Sequence, residues 1–168
     1  MATSTYNLIA SQVVGSGGAA SVTFSSIPGT YTDLKVVMST RYSGASETNQ
    51  LISINGSSST FSMIQLYGGG TGVGSYTTPA QYAGNVGGTN YTANTFNNIE
   101  VYIPNYTSSN YKSYSVDAVT ETNASAVSMG LAAGLWSTTS AITSLSFAPS
   151  SGSYVQYSTF YLYGIRNS

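Results

Sequence analysis

Three carboxylates, Glu100, Asp117 and Glu121, are the side chains of this chain best suited to acid–base chemistry, because the sequence contains no His and no Cys. Without those residue types, Ser-His-Asp and Cys-His nucleophile systems cannot be assembled, and neither can His- or thiolate-based metal sites. What remains is a carboxylate pair of the kind that cleaves glycosidic bonds. That chemistry needs two carboxyl groups about 5–9.5 Å apart, one of them desolvated so that its pKa rises. All three residues fall on the polar parity of their segments, so solvated faces or interface hydrogen bonds are the preferred reading, and the chain is expected not to be an enzyme. Asp117, Glu121 and Asn123 could offer oxygens to calcium, but no spaced acidic loop of a dedicated cage accompanies them. No metal and no cofactor is expected. The glycines of the segment 68–74 are not a phosphate loop, since no Gly-Lys-Ser/Thr follows them.

The other chemistry-bearing set is aromatic: 15 Tyr, 5 Phe and a single Trp. A Tyr presents an apolar ring and a polar hydroxyl, so it can fill a wet subunit interface or stack on a sugar ring at small entropy cost. Tyr67, Tyr76, Tyr82, Tyr91, Tyr106 and Tyr111 are the candidate interface residues. Trp136 reads as a core anchor.

These residues sit on segments with period-two alternation, the pattern of half-buried antiparallel strands. In 31–42, Leu34, Val36, Met38 and Tyr42 share one parity and Asp33, Lys35, Ser39 and Arg41 the other, which predicts that the charges point outward. In 97–103, Ile99, Val101 and Ile103 alternate with Asn98, Glu100 and Tyr102, and Pro104 removes a ladder donor and ends the strand. A third clean strand spans 111–121. Weaker candidates are 5–14, 19–27, 50–55, 61–67, 125–136, 141–148 and 155–165. In the region 124–136, Gly130 and Gly134 argue against a helix, each at about 1 kcal/mol relative to Ala, and an irregular strand is expected whose small residues let another sheet approach. The glycine-rich stretch from Gly68 to Gly88 is expected to be a long surface loop. About ten strands in one domain over 1–168 predict an all-β fold, a single antiparallel β-sandwich that is jelly-roll-like.

Charged residues make up 5% of the 168 residues, against roughly 25% in an ordinary soluble domain, and the net charge is −1. So many aromatics exclude a disordered chain. Lys35, Arg41, Lys112 and Arg166 are scattered and form no basic stripe, so no direct nucleic-acid partner is expected. No apolar run of about 18 residues occurs and no membrane partner is expected. The start of the sequence lacks the pattern of a secretory signal, which predicts assembly in a cytoplasm. A surface with so little charge repulsion suits permanent assembly with copies of itself.

Residues 157–168 (Tyr-Ser-Thr-Phe-Tyr-Leu-Tyr-Gly-Ile-Arg-Asn-Ser), the run from Ile99 to Tyr106 and the segment from Gly134 to Ser144 resemble small virion structural proteins of tailed bacteriophages. The segments from Tyr6 to Ala10 and from Val22 to Pro28 are similar too. The resemblance implies a virion location and a non-enzymatic structural role, most naturally a capsid decoration or cement protein that stabilises the head shell. It also implies a homotrimer, with the major capsid protein or other virion subunits as partners. The alternative is a tail fibre or receptor-binding module whose Tyr-rich loops contact host surface glycan. The terminal strand itself is expected to lie inside the sheet, with Phe160 and Leu162 in the core.

Overall fold

The computed structural model describes residues 5–70, 72–78, 80–120 and 128–166. They form twelve strands and no helix: β1 (Tyr6–Val13), β2 (Val22–Phe24), β3 (Asp33–Thr40), β4 (Thr48–Ile54), β5 (Phe61–Gly69), β6 (Gly72–Thr78), β7 (Tyr82–Val86), β8 (Asn97–Ile103), β9 (Lys112–Thr120), β10 (Ser128–Trp136), β11 (Leu145–Pro149) and β12 (Thr159–Ile165). An eight-stranded sheet has the order β1-β12-β3-β8-β9-β10-β5-β6, and a four-stranded sheet the order β2-β11-β4-β7. Every neighbouring pair is antiparallel. The chain is an all-β protein of two antiparallel sheets, as its alternation predicts.

The core lies between the sheets and follows the alternation strand by strand. Leu34, Val36 and Met38 of β3, Ile99, Val101 and Ile103 of β8, and Phe160 and Leu162 of β12 are all fully buried, facing Ile52, Ile54, Leu145 and Phe147 of the small sheet. Tyr154 packs edge-on against Phe160, with ring centroids 4.9 Å apart. Its hydroxyl donates to Gln50 Oε1 at 2.9 Å, so the polar tip of each buried side chain is satisfied by the other. Trp136 is buried as expected of a core anchor. The terminal strand β12 pairs on both sides, with β1 and β3, which places it inside the sheet.

Several expectations are corrected. Asp33 and Arg41 do not point into solvent. Asp33 is buried and accepts hydrogen bonds from Tyr102 Oη (2.8 Å) and the Asn105 amide (2.9 Å), which ties the end of β8 to β3. The Arg41 guanidinium is buried and donates to the carbonyls of Tyr91 (3.1 Å), Thr92 (2.8 Å) and Thr95 (3.0 Å), holding the 87–96 loop where no carboxylate is needed. The glycine-rich stretch is not a long loop: it closes β5, turns at Gly70 (φ +53°), and forms β6 and β7. Glycine serves there to admit an aromatic ring across the ladder. A Cβ on Gly74 would lie 2.7 Å from the Tyr67 hydroxyl of its direct cross-strand partner, so the ring covers a bare backbone. The same pairing explains β10, a regular strand and not an irregular one. Gly134 sits opposite Tyr114, and a Cβ there would fall 2.1 Å from the ring. The gap at Gly134 is filled by a side chain from the adjacent strand, and the small sheet does approach these small residues closely, through β7. Glu121 and Asn123 lie outside the described residues.

Candidate functional site

At the end of the large sheet formed by β9, β10, β5 and β6, strands β10 and β5 carry large aliphatic side chains on the outer face as well as core residues on the inner one. On β10, the buried parity carries Gly130, Ala132, Gly134 and Trp136, and the solvent parity carries Met129, Leu131, Ala133 and Leu135. On β5, Gln65 is buried whereas Ile64 and Leu66 are 51% and 61% exposed. Cross-strand pairing sets these side chains in rows across the outer face: Val119, Met129, Gly68, Val73; then Asp117, Leu131, Leu66, Ser75; then Ser115, Ala133, Ile64, Thr77. Asp117 is the only charged residue in these rows. Two hollows flank the central Leu131–Leu66 ridge. One, of about 490 Å³, is lined by Leu66, Gly68, Val73, Met129 and Leu131; the other, of about 370 Å³, by Ile64, Leu66, Ser115, Leu131 and Ala133. Each opens where a glycine or alanine leaves a gap beside a large side chain.

Behind this face, beside the buried Phe61, Met63, Tyr114, Val116 and Trp136, runs a polar network. Gln65 Nε2 donates to Tyr82 Oη (2.8 Å), Tyr82 Oη donates to Asn85 Oδ1 (3.1 Å), and Asn85 Nδ2 donates to Glu47 Oε1 (2.6 Å), while Tyr91 Oη donates to Glu47 Oε2 (3.4 Å). The chain of bonds fastens β5 to β7 and to the start of β4. Burial raises the pKa of Glu47 above the usual carboxylate range, against the hydrogen bonds from Tyr91 and Asn85 that favour its charged form. The same burial, with the nearby Glu47 charge, pushes the Tyr82 hydroxyl far up. Asn97 extends the polar lining: it accepts from the Gly87 amide at 2.7 Å and bonds Thr120 Oγ1. Both carboxylate oxygens of Glu47 are engaged by protein donors, so the group is arranged to hold the sheets together and not to present itself to a reactant. Glu47 stands outside any alternating run, and no sequence signal marks it.

The residues expected to act from sequence divide as follows. Glu100 and Asp117 are brought together as direct cross-strand partners of β8 and β9, on the outer face. Glu100 is paired with Lys35 Nζ at 2.7 Å, which relieves the repulsion of two carboxylates placed opposite each other. A general acid needs a desolvated carboxyl, and this pair is at the surface. Among the candidate interface tyrosines, Tyr67, Tyr76 and Tyr111 are exposed; Tyr67 lines the larger hollow, whereas Tyr76, opposite Gln65, is on the other parity of β6. Tyr91 is half-buried on Glu47. Tyr82 and Tyr106 are core residues, which corrects their assignment to an interface: Tyr82 joins the polar network, and Tyr106 donates its hydroxyl to the Pro28 carbonyl. The aliphatic residues that make the face, Ile64, Leu66, Met129 and Leu131, were not among the sequence candidates. Their signal was available as large apolar residues alternating with Gly, Ala and Gln, where the larger set would ordinarily be taken as the buried one. Among the described residues, no group of three or more carboxylates gathers to hold a metal ion.

Comparison with known proteins returned no matching family model, no matching curated sequence and no matching solved structure.

Proposed function

We propose that this protein is a non-enzymatic structural protein of a tailed-phage virion, a decoration or cement protein that binds the assembled head shell. The observation that carries the reading is the apolar outer face of β9-β10-β5-β6. A domain that leaves Ile64, Leu66, Met129 and Leu131 together on one outer face, in addition to a full apolar core, is built to bury that face against another subunit. Two further features support it. Setting aside the β5–β6 and β9–β10 hairpins leaves sheets of order β1-β12-β3-β8 and β2-β11-β4-β7. We infer from this wrapped order a jelly-roll core, an architecture used by viral capsid domains and also by lectins. The surface also carries very few charges to desolvate on docking.

The mechanism is mass action. A protein that binds the assembled shell but not its free subunits shifts the equilibrium toward the shell. The test is to strip the protein from purified particles, add it back in about 1 M salt, and follow DNA release on heating. At that ionic strength exposed ion pairs are largely screened. Restored resistance in high salt is the expected result. Unchanged particle stability together with lost adsorption to host cells would overturn the reading in favour of a tail receptor-binding module.

A further inference from the structure

The apolar face has a property beyond its exposure: it is complementary to itself. Consider a two-fold axis lying in the interface, parallel to the strands, above the line between β10 and β5. Such an axis keeps each row in place and reverses its order, so that each residue of β10 faces a residue of β5 in the second copy. The rows read from the pairing then bring large side chains over small ones. Met129 meets the gap at Gly68, and Ile64 meets the gap at Ala133. Leu131 and Leu66 meet each other at the centre. At the edges Asp117 meets the hydroxyl residue Ser75, and Val119 meets Val73. The two hollows beside the ridge lie where the incoming Met129 and Ile64 need room: the larger beside Gly68, the smaller beside Ala133. Asp117 never faces its own copy, so the one charge in the rows meets a hydrogen-bond donor instead of a like charge.

We infer that this face is the contact between two copies of the chain, packed sheet on sheet about an isologous two-fold. Sheets packed face to face lie about 10 Å apart with strands within roughly 30° of alignment, which keeps the central rows in register. Val73, Leu66, Met129, Leu131, Ile64 and Val119 are between 39% and 91% exposed. With the smaller residues between them they offer on the order of 600–800 Å² per copy, close to the roughly 800 Å² that each partner contributes to a standard stable interface. The apolar rows with Asp117, Glu100 and Lys35 at one border match the layout of an apolar interface core with a polar rim. An isologous contact closes at two copies, whereas the trimer implied by family resemblance would need a heterologous one. The inference names a partner for the face on which the proposed function rests, and it is tested in the isolated protein, apart from any particle.

The full chain should sediment as a dimer at about 10 µM, and the double substitution Leu66→Lys, Leu131→Lys should weaken association by about 100-fold or more. Both positions are exposed, so the variant should keep its β circular dichroism and its cooperative melt. Because the chain has no Cys, single-cysteine variants report the geometry directly. Val119→Cys and Val73→Cys chains, mixed and treated with a thiol crosslinker spanning about 8 Å, should give a crosslinked dimer only in the mixture, because these positions face each other across the axis whereas like positions are offset by three strand spacings, about 14 Å. A monomer at about 100 µM, a trimer, a folded double variant that still dimerises, or equal crosslinking of either variant alone would overturn the inference. A monomer that nevertheless restores particle stability would overturn this inference and leave the proposed function standing. A dimer without effect on particles would do the reverse.

Discussion

Across β12, β3 and β8, the large sheet buries Leu, Val, Ile, Met and Phe and shows solvent a surface of Tyr, Ser and the Lys35–Glu100 pair, while the edge strand β1 leaves Leu8 and Val13 exposed. Across β9, β10, β5 and β6, the same sheet lines its interior increasingly with Ala, Gly and Gln and shows solvent Met, Leu, Ile and Val. One continuous hydrogen-bonded ladder carries both arrangements, so backbone pairing does not depend on which face is apolar. In β12, β3 and β8 the large apolar residues are covered within the chain, by the small sheet. The second half, apart from Phe61, Met63, Tyr114, Val116 and Trp136, spends its large aliphatic residues outward, and its inner face is closed by the Gln65–Tyr82–Asn85–Glu47 network. Stability of the fold is therefore concentrated in one half and capacity for contact in the other.

Substitutions can break that division, beginning with the largest effect. Phe160→Ala, in the first half, removes a fully buried ring beside Tyr154 and should cost about 3–5 kcal/mol of unfolding free energy, measured by chemical denaturation. A loss under about 1 kcal/mol would mean that the first half is not the stability core. Gly134→Ala should cost about 1–3 kcal/mol, because the added methyl drives the Tyr114 ring from its place and with it the 3.1 Å bond from Tyr114 Oη to the Tyr82 carbonyl. If the variant melts like the parent, the aromatic–glycine pairing does not organise the second half. Leu131→Ala, made in the Leu66→Lys background to remove association, should change unfolding free energy by less than about 0.5 kcal/mol. A loss like that of Phe160 would show that the outer face is part of the fold's own core.

The smallest effect is a pH dependence of the polar network. The folded-state pKa of Glu47 lies above its ordinary 4.5, so the folded chain binds that proton more tightly than the unfolded chain does. Its contribution to stability is fully present below pH 4.5, falls as pH rises through the raised folded value, and is flat above it. Glu47→Gln should remove this part of the slope in denaturant-derived stability measured between about pH 4 and 8. A slope unchanged by the substitution would show that Glu47 is no more desolvated in the folded chain than in the unfolded one.

The strands of the first half were legible from sequence because Leu34, Val36 and Met38, or Ile99, Val101 and Ile103, alternate with residues that belong outside. Where side-chain chemistry and burial agree, period two suffices. It did not suffice for β6, whose Gly, Ser and Thr residues match a loop as well as a strand, nor for the short β7 beyond it; β6 is held by its ladder to β5 and by the Tyr67 ring across Gly74, contacts that exist only once the partner strand is in place. Nor did it suffice for Asp33 and Arg41. Their burial depends on the Tyr102 hydroxyl, the Asn105 amide and the Tyr91, Thr92 and Thr95 carbonyls, groups that are distant in sequence.

The sequence by itself determined the fold class, the position of most strands and the poverty of catalytic groups, since each follows from residue type or local alternation. Only the tertiary structure decided which side of β10 and β5 is inside. Alternation has two faces and no label for either, and in β10 and β5 the label went to Gly, Ala and Gln because Tyr114, Tyr82 and Glu47 claimed the interior space beside them. The aliphatic residues were left on the outer face, and that face became the surface through which this protein is proposed to act.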